Sequence, residues 1–277
     1  TMQVGRPSFK TRAGKTVPPE WIAKPNAAEI LEPLFYPCIR VDKDSYDLPE
    51  VFDIPYEVEL STEQKSAIKK LHATASKLAE VNKSIAGGFV RQVYQIASGC
   101  LYERDDMGER TVKHFDATPR LQATVELIDE GKMRFGGDGI GGKTVVYVAH
   151  RHVCDFVYEY LSKKYKVGKI NGDTTNRAEI LRAFDTTDEY EVIVAVASAM
   201  SHGVTAIAAN TIVWYSPSPS VEVFMQANNR TDRIGQKQIG RRYYLFANDA
   251  ERERHETLQN GQTVQNEMLN LYKTFLE

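Results

Sequence analysis

Gln226, Arg230 and Arg233 stand four and three residues apart in "QANNRTDRIGQ", residues 226 to 236. At about 100° per residue a helix would gather them into one narrow stripe, so that two permanently charged guanidiniums and an amide project the same way. Such a stripe suits an anion. Arginine makes bidentate contacts with phosphate oxygens and, opposite a transferring phosphoryl group, stabilises transition-state charge. The same residues would also serve on a solvated helix face, with Arg230 paired to Asp232 or a neighbouring carboxylate.

A second stretch offers phosphate chemistry of another kind. Gly137, Gly142, Lys143 and Thr144 in "GGDGIGGKT" satisfy G-x-x-x-x-G-K-[ST], in which backbone N–H groups and a lysine cradle a nucleotide. A working loop of this type joins a strand to a helix. Here an amphipathic helix ending near Gly131 precedes the glycines, and the β-branched "VVYVAH" follows as a strand. The stretch therefore reads as a flexible lead into that strand, and Lys143→Ala is expected to be silent. His150, His152 and Cys154 have a metal-like spacing but no fourth ligand nearby, so they read as a loop opening a helix, with Cys154 a small buried residue and no metal held. "RRYYLFA" alternates as a strand, which puts one of Tyr243 and Tyr244 in the core and the other on the surface. "ERERHE" reads as a solvated charged face of the last helix.

The elements that must position these residues follow from periodicity. The proline-rich first 55 residues suggest connecting chain with short helical pieces, one of them "AAEILEPLFY" around Pro33. "IPYEVEL" alternates as a strand. Ser61 with Gln64 forms a capping box and starts a helix, a second helix fits "GFVRQVYQIASG", and "CLYERDDMGERTVKHF" reads as a hairpin. From the helix "TPRLQATVELIDEG" onward, short apolar strands alternate with helices, the pattern of a doubly wound parallel α/β sheet covered on both faces. The expected organisation is connecting region 1–60, helical extension with hairpin 61–117, and main domain 118–277. A 277-residue chain with 42% apolar residues and a formal charge of −2 can bury a sizeable core but has no global basic signature, so nucleic-acid contacts must be local. Cys38, Cys100 and Cys154 lack a C-x-x-C pair and read as reduced thiols. With no long apolar run, a cytoplasmic site without membrane contact is expected.

Residues 226–236 resemble the last signature motif of Swi/Snf-type superfamily-two helicases, Q-A-x-x-R-x-x-R-x-G-Q. "TVVYVAH", "INGDTTNRAEILRAF" through Gly172, Arg177 and Phe184, and "SHGVTAIAANTIVWYSPSPSVEVFMQANNR" resemble the other motifs of the second RecA-like lobe, in order. Upstream, "PCIRVDKDSYDLPE" and "RQVYQIASGCLY" resemble the junction between lobes and the helix before lobe two. The likeness covers nearly all residues from about 20 onward and is nearest to compact phage and bacterial members.

The resemblance implies a RecA-like fold and an ATP-dependent DNA translocase or helicase. Arg230 and Arg233 would be arginine fingers, with Gln226 orienting them or the attacking water and Gly203 beside the nucleotide. Nucleic-acid contacts would come from His150, Arg151, Gly172, Asp173, Thr174, Ser201, His202 and Thr205. ATP and Mg²⁺ would be held mainly by the N-terminal RecA-like lobe, of which residues 1–20 would be the tail. Neither its strand–loop–helix phosphate site nor a D-E-x-H run stands in this sequence, so the chain alone is expected not to hydrolyse ATP. Duplex or branched DNA is the expected partner, ahead of RNA. Two departures stand out: Ser201 and His202 replace glycines of the fifth motif, and "SPSPS" replaces an acidic Trp-Asn-Pro segment. A non-catalytic nucleic-acid or partner-binding module on the same fold is the alternative.

Overall fold

The computed structural model describes residues 2–6, 9–10, 16–17, 20–23, 25, 48–79, 86–104, 108–135, 142–200 and 205–274. The chain divides into two compact units, Thr1–Asp47 and Leu48–Glu277. In the first, β1 (Met2–Arg6) pairs antiparallel with β4 (Glu20–Ala23), and β2 (Phe9–Lys10) with β3 (Thr16–Val17). Strands thus stand where short helical pieces were expected. "AAEILEPLFY" and Cys38 lie outside the described residues.

The second unit is built on six parallel strands in the order β5 (Val51–Glu57), β12 (Gly240–Phe246), β11 (Ala209–Trp214), β8 (Lys143–Val148), β10 (Val192–Val196) and β9 (Val167–Ile170). β5 belongs to this sheet, so the unit begins at Leu48, ahead of the boundary expected at residue 60. The inner strands β8, β10 and β11 are apolar because both faces are covered. On one face Val146, Val148, Val194, Val213 and Tyr243 pack under α3 (Thr118–Phe135) and α4 (Arg151–Leu161). On the other, Val145, Tyr147, Ile193, Trp214 and Tyr244 pack under α5 (Arg177–Thr186), α6 (Val221–Asn228) and α7 (Asp249–Thr274). Tyr243 and Tyr244 are therefore both buried, 4% and 2% exposed, and the surface position expected for one of them does not exist. Alternation sends them to opposite faces, and each face has a helical cover.

Ahead of the main strands, α1 (Thr62–Ala79), α2 (Ala86–Ala97) and the hairpin of β6 (Cys100–Arg104) and β7 (Arg110–His114) form a lateral layer. The capping box closes as expected: Gln64 N donates to Ser61 Oγ at 3.2 Å, and Ser61 N to Gln64 Oε1 at 3.0 Å. Gln64 Nε2 then reaches the Ile96 carbonyl at 2.8 Å and ties α1 to the end of α2. α3 runs past Gly131, where any Cβ would meet Thr211 Oγ1 at 2.6 Å, so glycine is what lets this helix sit directly on β11.

Lys143 is the clearest correction. Its side chain is buried, and Nζ donates to the Phe184 carbonyl at 2.6 Å and the Thr187 carbonyl at 2.5 Å. The lysine that completes a phosphate-loop pattern is a cation placed on the last carbonyls of α5, where the helix dipole favours positive charge. The glycines at 136, 137, 139 and 141 lie outside the described residues. Cys100 and Cys154 are buried free thiols pushed by burial up to about 12, and Cys154 Sγ sits 3.7 Å from the Val194 carbonyl. "ERERHE" is not wholly solvated. Glu251 is buried against Arg120, with Arg120 Nη2 to Glu251 Oε2 at 2.6 Å, and His255 is buried with Nε2 3.2 Å from the Leu245 carbonyl.

Two predictions follow from these buried groups. Lys143→Met leaves two helix-end carbonyls without a donor and is expected to lower stability by about 1–3 kcal/mol in urea denaturation, not to be silent. Burial lowers the His255 pKa to about 4, and among the described residues its Nδ1 has no hydrogen-bond partner. The folded pKa lies below the unfolded one, so His255 contributes stability that is intact above about 6.5 and lost as pH falls through about 4. A His255→Gln variant should show a shallower decline in stability between those pH values.

Candidate nucleotide and nucleic-acid site

The end of α6 is fixed from the sheet side. Trp214 Nε1 donates to Asn228 Oδ1 at 3.0 Å, and the Tyr147 hydroxyl donates to the Ala227 carbonyl at 3.0 Å. The rings of Tyr147, Trp214 and Phe224 pack in succession at 4.8 and 5.1 Å. Ser220 caps the other end, accepting from Val223 N at 3.2 Å. The helix therefore spans only Val221–Asn228, and Arg230 and Arg233 stand beyond it on a turn-rich loop rather than on a continuous stripe. The turn replaces helix because Thr231 Oγ1 takes the Asn228 carbonyl at 3.0 Å, a side-chain bond that competes with the next helical N–H.

Three further contacts shape this loop. Arg233 Nε donates to the Asn229 carbonyl at 3.0 Å. Ala206 N donates to the Arg230 carbonyl at 3.1 Å, tying the loop to the segment entering β11. Gln236 Nε2 donates to the carbonyls of Ile207 and Ala209 at 3.0 and 2.9 Å, while its Oε1 accepts from the N–H groups of Lys237 and Gln238. Gly235 supplies a loop position at φ +108. Gln226 sits on the helix and donates to Glu222 Oε1 at 3.1 Å. Arg230 is 7% exposed while Arg233 is half-buried. Burial first, and then the neighbouring Arg233, lower the pKa of Arg230.

A second group lies at the carboxyl ends of the strands. His150 precedes α4 in extended conformation, and the rings of His150 and His152 each lie 5.5 Å from Tyr102. Arg151 pairs with Asp173 at 2.6 Å, which brings the loop after β8 to the turn after β9. That turn is internally clamped: Asn171 N donates to Thr174 Oγ1, and Arg177 donates to the carbonyls of Gly172, Thr174 and Ala199. Thr205 Oγ1 donates to Asp185 Oδ2 at 3.3 Å. Ser201, His202 and Gly203 lie outside the described residues. The structure therefore brings His150, Arg151, Gly172, Asp173 and Thr174 together. The loop of Arg230 and Arg233 leads instead into the amino end of β12.

Sequence reasoning missed a groove of about 600 Å³ next to the first of these loops, lined by Arg91, Tyr94, His150, Ser216, Ser218 and Arg254 among others. It opens at the carboxyl ends of β8 and β11. From β8 the chain proceeds to β9 and β10 on one side, while β11 and β12 lie on the other, so this is the switch point where open α/β sheets receive ligands. Among the described residues that line it, Arg91 and Arg254 are cations, burial and Arg91 hold His150 toward its neutral form, and none is a carboxylate. Arg91 and Arg254 come from distant helices, and only the strand order, which periodicity does not give, would have joined them.

Residues 123–235 match the family model described as helicase conserved C-terminal domain. Over 177 residues, 63% of this chain and 17% of the relative, the sequence is 25% identical to the SWI/SNF-related matrix-associated actin-dependent regulator of chromatin subfamily A-like protein 1 of Xenopus tropicalis. The chain thus spans less than a fifth of the length of that relative. Among solved structures, the C-terminal part of the Fun30 ATPase domain superposes with a TM-score of 0.62 at 16% identity, over 76% of this chain and 88% of that one. The Sulfolobus solfataricus SWI2/SNF2 ATPase core in complex with dsDNA gives 0.55 at 18% identity, over 79% and 47%. Leu48–Glu277 is accordingly a RecA-like α/β unit, and its residues 123–235 match the helicase conserved C-terminal domain.

Proposed function

We propose that this chain is the second RecA-like lobe of a Swi/Snf-type ATP-dependent DNA translocase, and that Arg230 and Arg233 are its arginine fingers. The observation carrying the reading is the place of Arg230 and Arg233 on the loop after α6, which is tied down through the Arg230 carbonyl and Arg233 Nε, inside the region that matches the helicase domain. ATP supplies the phosphoryl transfer, with Mg²⁺ neutralising phosphate charge, both held mainly by a first lobe. Arg233, the more exposed of the two, reaches toward the phosphates. Arg230, seated deeper beside Tyr147, reinforces the positive field, and Gln226 on the helix orients the pair. Ile234 and Ile239, 66% and 45% exposed on the same loop, supply apolar surface for the first lobe to cover. Without that lobe the chain does not turn over ATP. Its setting is the cytoplasm of a bacterial or phage-infected cell.

On this reading DNA lies along the carboxyl ends of the strands, held by its phosphates, which suits a motor indifferent to sequence. His150, the Gly172–Thr174 turn and Thr205 line the track. The exposed Arg151–Asp173 pair is worth no more than about 1 kcal/mol, so Arg151 can exchange Asp173 for a phosphate. The groove of Arg91 and Arg254 extends the track.

Two measurements test this. In protein carrying both lobes, Arg233→Ala should cut DNA-stimulated ATP hydrolysis by about 10³-fold or more. Unchanged hydrolysis in both Arg230→Ala and Arg233→Ala, with DNA binding intact, would favour a non-catalytic binding module. Separately, Arg91→Ala should flatten the dependence of log K for duplex DNA on log salt by about 0.9, the value for one phosphate contact, and an unaltered slope removes Arg91 from the track.

A further inference from the structure

Arg242, the third residue of β12, is a buried cation shared between two separate elements. Its Nη2 pairs with Asp232 Oδ2, and its Nη1 lies 3.4 Å from Asp53 Oδ1. Asp53 is the register partner of Arg242 across the β5–β12 ladder, and the Tyr244 hydroxyl donates to the same Asp53 oxygen at 2.5 Å. Asp232 is the residue immediately before Arg233 and two after Arg230. Thr231 Oγ1 lies 3.2 Å from its other oxygen and shares one proton between that oxygen and the Asn228 carbonyl. A guanidinium is the one side chain that can serve this geometry, because its rigid fork presents separate N–H groups to two carboxylates at once. A buried charge of this kind is tolerated only while it is paired.

We propose that Arg242 is a positioning residue: by gripping Asp232 it sets the loop that carries Arg230 and Arg233, and by gripping Asp53 it makes that setting depend on the edge strand β5. This rests on the arginine-finger reading above. The edge strand is where the chain enters the second unit from the upstream residues. A displacement of β5 therefore reaches the arginine loop through one cation, without passing through the hydrophobic core. In this way the state of the chain entering the lobe regulates how the fingers are presented.

The test uses protein carrying both lobes, with ATP hydrolysis normalised to the folded fraction from urea denaturation. Asp232→Asn keeps the shape and removes the charge, and Arg242→Lys keeps the charge and removes the fork. Both should lower kcat by roughly 10- to 100-fold, as misplacement of a catalytic group does, with DNA affinity unchanged. Asp53→Asn should lower kcat less, because Asp232 still holds the guanidinium, and Asp232→Glu should restore part of the loss. Arg242→Lys could fail to fold, so Asp232→Asn at the edge of the cluster is the deciding variant. If Asp232→Asn leaves kcat unchanged while Arg233→Ala abolishes it, the positioning role is overturned and the finger reading stands. If Arg233→Ala also leaves kcat unchanged, the finger reading itself falls. A kcat that drops only in proportion to the folded fraction overturns the positioning role too.

Discussion

The arrangement depends on where α6 stops. Two hydrogen bonds from sheet side chains, Trp214 to Asn228 and Tyr147 to the Ala227 carbonyl, take the last groups of an eight-residue helix. A helix this short holds little stability of its own and persists because packing supports it. Here the support comes from aromatic rings stacked between β8, β11 and α6. Because Trp214 and Tyr147 belong to adjacent central strands, the start of the arginine loop is referenced to the most rigid part of the unit. The loop can then be irregular, as bidentate recognition of an anion requires, without being loose.

Buried cations recur in this unit, each with a different partner type. Lys143 rests on helix-end carbonyls, Arg120 on Glu251 and the Tyr215 carbonyl, and Arg242 on two carboxylates. Each joins elements far apart in sequence: β8 to α5, α3 to α7, and β5 and the arginine loop to β12. Such bonds add less net stability than their number suggests, since desolvation offsets much of the attraction, but removing one partner is costly. Their contribution is to specify which elements meet. A net charge near zero therefore conceals a definite use of positive charge, inward at the joints and outward along the switch-point groove.

Much of the sheet was legible from periodicity. The strands β8 to β12 and their helices fall where apolar runs and turns place them, because a parallel sheet covered on both faces demands runs that are apolar throughout. Ser61 and Gln64 announced a helix start through local chemistry alone. What failed depends on bonds that spacing does not show. Helical spacing carries Arg230 and Arg233 onto one stripe, but Thr231 Oγ1 takes the Asn228 carbonyl, and Trp214 and Tyr147 fix the end of α6 from the sheet. Alternation exposed one of two tyrosines, but a helix covers each face. The pattern around Lys143 gives no hint of its carbonyl partners, because these lie some forty residues downstream. The groove with Arg91 and Arg254 needs the strand order, which no local signal holds.

The outermost strand has one more consequence. β5 ends the strand order beside β12, and the outer row of backbone groups on an edge strand is the usual start of sheet-to-sheet association. Pro55 sits in the middle of this strand, and the ladder to β12 continues through it without a register shift, as it does when the missing N–H faces outward. The strand that feeds the arginine loop is thereby also a poorer template for strand pairing along that side.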